Sequence, residues 1–183
     1  MELNEVVIVS ACRTPIGKFM GSLKDVTARE LAITAGKGAI ERAEISPEII
    51  DEICLAEVFQ QGVGSMQARQ VSMRLGMAVR SGAVNIHQNC ASGMRAVEVA
   101  AHNIMLGKTE IALVIGAESM TNTPYILPKA RSGYRMGNGE ILDAMIYDGL
   151  VDELVPGHMG VTAENVAKKY GITRQQCKRI SCD

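Results

Sequence analysis

Two periods of hydrophobic and polar positions alternate along this chain, and the switches between them mark its elements. Residues 6–10 are a β-branched apolar run that predicts a first strand. It opens into C-R-T-P-I-G-K-F-M-G-S-L-K, where Pro15, Gly17 and Gly21 break any regular element. Thr27-Ala28-Arg29-Glu30 forms a capping box, and Leu31, Ala32, Ala35, Ala39 and Ala43 give the following helix a face of small residues. Ser46 and Pro47 start a short helical turn. A second strand over 53–58 passes through a Gly-containing loop into a helix that runs to about Leu75 and is closed by Gly76. Residues 82–88 predict a third strand. Beyond it, Met94, Val97, Ala101 and Ile104 recur at helical spacing, with Arg95, Glu98 and His102 on the opposite face. A continuous apolar run over 111–117 predicts a fourth strand.

Strands alternating with helices at this spacing imply right-handed crossovers and a mostly parallel α/β sheet covered on both faces. The binding edge of such a sheet lies at the carboxyl ends of its strands. After residue 117 the character changes: E-S-M-T-N-T-P-Y-I-L-P-K-A-R-S-G-Y-R-M-G-N-G holds two Pro and three Gly with little periodicity. It reads as an inserted loop region. Thr162 and Glu164 open a helix ended by Gly171, and Thr173-Arg174-Gln175-Gln176 is a second capping box. The predicted organisation is an amino-terminal α/β domain over 1–120 and the start of a loop domain over 121–183.

Cys90 falls where the third strand turns into a helix. The first N–H groups of a helix lack intrahelical partners and, with the macrodipole, favour negative charge. A thiolate in such a place is stabilised and becomes a nucleophile near neutral pH. The small residues Ala91, Ser92 and Gly93 leave room for a substrate. Position alone leaves open the plainer alternative, a cysteine that acts as a small buried hydrophobe.

Bulk properties narrow the partners. The net charge is −1, and the 19 basic and 20 acidic residues are interspersed, which argues against nucleic acid. No run reaches the length of a membrane span, so no membrane partner is expected. With 47% hydrophobic residues among 183, the chain can bury a substantial core; 11 Met compensate for two Phe, four Tyr and no Trp. Five cysteines without metal-ligand spacing, in a chain that runs straight from its start into the first strand, predict a reducing, cytoplasmic setting and no leader peptide.

Four motifs then carry a family resemblance: R-T-P-I-G-K-F at 13–19, N-C-A-S-G-M-R-A-V at 89–97, G-A-E-S-M-T-N-T-P-Y at 116–125 and H-M-G-V-T-A-E-N-V-A at 158–167. In this order they resemble the amino-terminal half of the thiolase family, most closely its biosynthetic acetyl-CoA acetyltransferase branch. The resemblance implies a layered αβαβα fold of two similar halves, of which this chain holds the first and the start of the loop domain. It implies that Cys90 is the catalytic residue that takes an acyl group from acyl-CoA as a thioester, its own N–H helping to hold the oxyanion. It implies condensation of two acetyl-CoA to acetoacetyl-CoA, or the reverse thiolysis, within fatty acid metabolism. Coenzyme A then enters as a thioester substrate and no cofactor stays bound. By the same resemblance His158 and Met159 line the pantetheine channel, and 124–142 is the excursion through which tetrameric members pair their dimers. The whole protein is expected to be a homodimer or homotetramer.

The sequence also departs from the family. Members are longer, and their second half supplies an Asn-bearing motif, an activating His and a second Cys; none of the histidines here, His87, His102 and His158, occupies a matching position. His87 stands where Asn is more common. Ser181-Cys182-Asp183 is a poor replacement for the missing acid/base set. A non-catalytic truncated chain and a related condensing enzyme, such as a ketoacyl synthase or a sterol-carrier-type thiolase, remain as alternatives. Of the other polar residues, Arg13 and Lys18 read as loop anchors, Glu118, Ser119 and Asn122 as organisers of the turn after their strand, and Gln67 and Arg69 as helix surface. Cys12 and Cys54 read as core.

Overall fold

In the computed structural model, which describes residues 3–155 and 157–181, strand β1 (Glu52–Ala56) is flanked by β2 (Gly82–Ile86) and β3 (Ala112–Gly116). All three run parallel, with Cys54 opposite Val84 on one side and Val114 on the other. Side chains on a strand alternate between faces, and the two faces of this sheet are covered differently. Ile53 and Leu55, with Leu113 and Ile115, pack under α1 (Ala28–Ala43) and α2 (Gln67–Leu75). Cys54 and Ala56, with Ile86, pack on α3 (Ser92–Met105). The α/β architecture expected from the sequence is present, as three layers around β1. Ile53 is 0% and Leu55 1% exposed, and burial of such a side chain contributes about 1.5–3 kcal/mol.

Local signals fix the helix ends. The Thr27 side chain accepts from the Glu30 N–H while Glu30 reaches back to the Thr27 N–H, the capping box expected for α1. Gly76 closes α2 in the left-handed region at φ 83°. The buried stripe of α1 is Ala28, Ala32, Gly36 and Ile40, one step round from the expected small-residue face. Gly36 decides this, because a Cβ there would lie 2.8 Å from Leu75 Cδ1 and 3.0 Å from Ile115 Cδ1. The carbonyls of Ala35 and Ala39 tie down the amino-terminal segment: Cys12 Sγ donates to Ala35 O at 2.8 Å and Ser10 Oγ to Ala39 O at 2.7 Å.

That segment corrects the predicted first strand. Residues 6–10 make no ladder with another strand among the described residues, and Val7, Ile8 and Val9 are 68–82% exposed. The run is tied down at its ends, by Asn4 N–H to Met105 O at 3.1 Å and by the bonds to α1. A second correction concerns α3. Its small residues Ser92, Ala96 and Ala100 face the sheet, whereas Met94 and Val97, expected inside, are exposed. Small side chains let α3 settle close onto Cys54 and Ala56, which leaves the larger apolar ones on the outer face.

The chain divides into two compact units, Met1–Pro124 and Tyr125–Asp183, and everything above belongs to the first. In the second, β4 (Tyr125–Ile126) pairs antiparallel with β5 (Leu142–Asp143), closing the excursion between them. A π-helical turn (Ile146–Leu150) leads to β6 (Val151–Asp152), which pairs with β7 (Gly157–His158). Then come α4 (Met159–Tyr170), ended by Gly171 at φ 65°, and α5 (Arg174–Ser181), opened by the Thr173–Gln176 capping box. Cys182 and Asp183 lie outside the described residues. No helix among the described residues is long and apolar enough to cross a membrane.

Candidate active site

Each strand of the sheet is followed within two residues by a polar side chain. Ala56, Ile86 and Gly116 are in register, and the ladder extends one step beyond them through Glu57 N–H to Ile86 O (3.2 Å) and Ala117 N–H to Ala56 O (3.1 Å). The carboxyl edge therefore carries Glu57 after β1, the turn His87 to Ala91 after β2, and Glu118 after β3.

The turn after β2 holds Cys90. Asn89 sits at φ 47°, a left-handed conformation that asparagine tolerates better than most residues. The turn is closed by Ala91 N–H to Gln88 O at 3.1 Å and Ser92 N–H to Asn89 O at 3.0 Å. Asn89 N–H also donates to His87 Nδ1 at 3.2 Å. Cys90 precedes Ala91, the cap of α3, which offers no side chain to the helix end. The thiol is exposed. A Cβ added at Gly93 would meet nothing within 4 Å, so the first turn of α3 leaves the room that its small residues suggested.

Cys54 shows the opposite environment. It is 0% exposed against α3, and burial, with a smaller push from Glu52, drives its thiol up to about 12. Cys12 is half-buried and Cys177 exposed, and Cys12, Cys54, Cys90 and Cys177 are all free thiols. Iodoacetamide near neutral pH should therefore modify Cys90 at least ~10-fold faster than Cys54, read by peptide mass mapping. Equal labelling of the two would count against an accessible, reactive Cys90.

The other edge residues form a buried polar chain that the sequence did not reveal. Arg29 donates through Nε to Gln67 Oε1 at 2.9 Å and through Nη2 to Val63 O. Gln67 Nε2 donates to Glu57 Oε1 at 2.7 Å, while Glu57 Oε2 is buried with no partner among the described residues. Gln67, expected on the helix surface, is 2% exposed, and Glu57 is 1% exposed. Burial pushes the Glu57 carboxyl up to about 7; Gln67 and Arg29 act against that rise, and neighbouring Glu118 adds to it. The Glu118 carboxyl is also raised by burial, against the bonds it accepts from Val58 N–H (2.8 Å) and Phe59 N–H (3.1 Å). Glu118 thus holds the loop after β1 rather than the turn after its own strand. Asn122 Nδ2 donates to Ser119 Oγ at 2.8 Å within the turn, as expected, and both side chains also reach Val26 O, at 3.1 and 3.2 Å, fixing the segment before α1. Arg69 is half-buried and donates to Ser81 O. A carboxylate closing an apolar strand was the one available signal for Glu57.

Arg13 reaches the neighbouring Thr14 O at 3.2 Å, as a loop residue should. A cavity of about 390 Å³ lies between the loop that carries Arg13 and Lys18 and the chain after β3, and another of about 200 Å³ lies beside Arg29 and Gln67. Neither is lined by Cys90. His158 and Met159 belong to the second unit, where the His158 side chain caps α4 by accepting Gly160 N–H on Nδ1 at 3.0 Å. Among the described residues, no group of three or more His, Cys, Asp or Glu could hold a metal.

The family model for "Thiolase, N-terminal domain" matches residues 6–182. An acetyl-CoA acetyltransferase of Cupriavidus necator is 46% identical over 173 residues, covering 94% of this chain and 44% of the relative. That of Escherichia coli is 44% identical over 174 residues, with the same coverage. The solved acetyl-CoA acetyltransferase of Syntrophomonas wolfei superposes with a TM-score of 0.94 at 57% identity, over 98% of this chain and 45% of that one. A thiolase of Ascaris suum, solved in complex with coenzyme A, gives 0.88 at 36% identity, over 92% of this chain and 44% of that one. The chain spans somewhat under half the length of the relatives it matches. A match over nearly every residue, in a chain with this parallel sheet and strand-to-helix cysteine, means that it belongs to the thiolase family.

Proposed function

We propose that this chain is the nucleophile-bearing half of an acetyl-CoA acetyltransferase and that Cys90 is its acyl acceptor. The observation that carries this is the exposed Cys90 at the carboxyl edge, immediately before α3, in a chain matched by thiolases over residues 6–182. The Cys90 thiolate attacks the thioester carbonyl of acetyl-CoA. A new C–S bond forms to the enzyme, the bond to the coenzyme sulfur breaks, and coenzyme A leaves with the proton. The oxyanion of the tetrahedral intermediate is held by backbone N–H groups, that of Cys90 among them. The α-carbon of a second acetyl-CoA, after losing a proton to a base, then attacks the acyl carbonyl; acetoacetyl-CoA forms and the Cys90 thiolate is released. Thiolysis runs the same steps in reverse.

Coenzyme A is a substrate in this scheme. That reading is supported by a thiolase of Ascaris suum solved in complex with coenzyme A, and by the family resemblance His158 and Met159 would line the pantetheine arm. Free thiols on four cysteines accord with a cytoplasmic protein, and the whole protein would be a homodimer, or a homotetramer whose dimers pair through the excursion closed by β4 and β5. The test is direct. Chain incubated with acetyl-CoA should carry one acetyl group on the peptide containing Cys90, with free coenzyme A released, and Cys90→Ser should abolish both. Acetylation spread equally over Cys90 and Cys177, or none at Cys90, would overturn the proposal.

A further inference from the structure

Cys90 occupies a turn in which one hydroxyl bridges two backbone groups, in addition to the backbone bonds and the His87 Nδ1 contact that close it. Ser92 is the first residue of α3 and is 3% exposed, although a serine at a helix start ordinarily stands in water. Its Oγ accepts the Gln88 N–H at 2.8 Å and donates to Asn89 O at 2.6 Å. One group thus bonds the residue before the left-handed Asn89 and Asn89 itself, bridging the two backbone units that lead into Cys90. Only a hydroxyl can do both, since it offers a donor and an acceptor on one atom. Neither Cys90 nor Ala91 supplies a side chain to hold the turn, and Ala91 caps α3 without a side-chain bond.

We propose that Ser92 is a positioning residue for Cys90, clamping the turn so that the sulfur stays before the amino end of α3. The proposal rests on the reading of Cys90 as acyl acceptor. Without the hydroxyl, the Gln88 N–H loses its partner and Asn89 loses one of the three bonds that hold its left-handed conformation, keeping those with Ser92 N–H and His87 Nδ1. The turn then samples other conformations. Ser92 touches neither the acyl group nor coenzyme A in this scheme; it acts through the backbone.

Ser92→Ala, and the isosteric pair Ser92→Thr and Ser92→Val, separate this role from a general one. The rate of iodoacetamide modification at Cys90 is measured in each relative to exposed Cys177, with protection of buried Cys54 as the report on the fold. The Ala and Val variants should lower the Cys90-to-Cys177 ratio roughly 10-fold while Cys54 stays protected, and Thr should restore it. A Val variant equal to Thr would overturn the proposal. So would loss of Cys54 protection in both hydroxyl-free variants, which would make Ser92 a prop of the whole layer rather than of the turn. A wild-type Cys90 no faster than Cys177 would count against the acyl-acceptor reading instead, because the variant-to-wild-type ratio still reports on the clamp.

Discussion

Residues 1–183 alone should catalyse acetoacetyl-CoA thiolysis roughly 10⁴-fold more slowly than a chain continued through the full length of its relatives. A nucleophile and its base act as a unit, and the resemblance puts the activating histidine and the second cysteine in the half that this chain does not span. The histidines present are otherwise engaged or placed: His87 accepts the Asn89 N–H, His158 caps α4, and His102 lies in the last turn of α3. Single-turnover acetylation of Cys90 needs less than the full cycle and should survive at a slow rate. Coupled release of coenzyme A from acetoacetyl-CoA, followed for both chains, measures the difference. Rates within about ten-fold of each other would mean that a base already exists among these residues.

Raising the pH from 5 to 9 should cost the fold about 3 kcal/mol through Glu57 alone. The folded carboxyl is raised from 4.5 to about 7, so between those values the folded state binds more protons than the unfolded one. Stability from this group is therefore complete below about 4.5 and is lost as the pH rises through about 7. Physically, ionisation strands a charge that is 1% exposed, beside Glu118, with Gln67 donating to it and Arg29 acting through that glutamine. Glu118, raised in the same direction and next to His87, adds to the slope. Glu57→Gln keeps an oxygen for Gln67 and carries no charge, so its denaturation free energy should fall much less across the same range. Parallel pH profiles for wild type and variant, from urea titrations, would sink this account.

What could be read in the sequence was mostly what local chemistry decides. The Thr27 and Thr173 capping boxes, the Gly76 and Gly171 stops and the Cys90 junction all depend on residues within a turn of one another. What escaped depends on neighbours far along the chain. Residues 6–10 have the composition of a strand, but a strand needs an edge to pair with, and composition says nothing of that. Met94 and Val97 formed the obvious apolar stripe of α3, yet the sheet beneath is lined by Cys54 and Ala56, and closeness favoured Ala96 and Ala100. Gln67 and Glu57 were missed for a related reason. Each is polar, and only their meeting with Arg29 makes burial tolerable.

The order of strands bears on how the protein is made. Glu52, Gly82 and Ala112 open the three in turn, and the earliest of them is the one in the middle. During synthesis, β1 leaves the ribosome first, β2 then lies down along one side of it with α2 as the crossover, and β3 takes the vacant side after α3. No strand has to be threaded between two others already joined. Growth outward from a finished centre lets the nascent chain cover each sheet edge in the order in which translation delivers its partner.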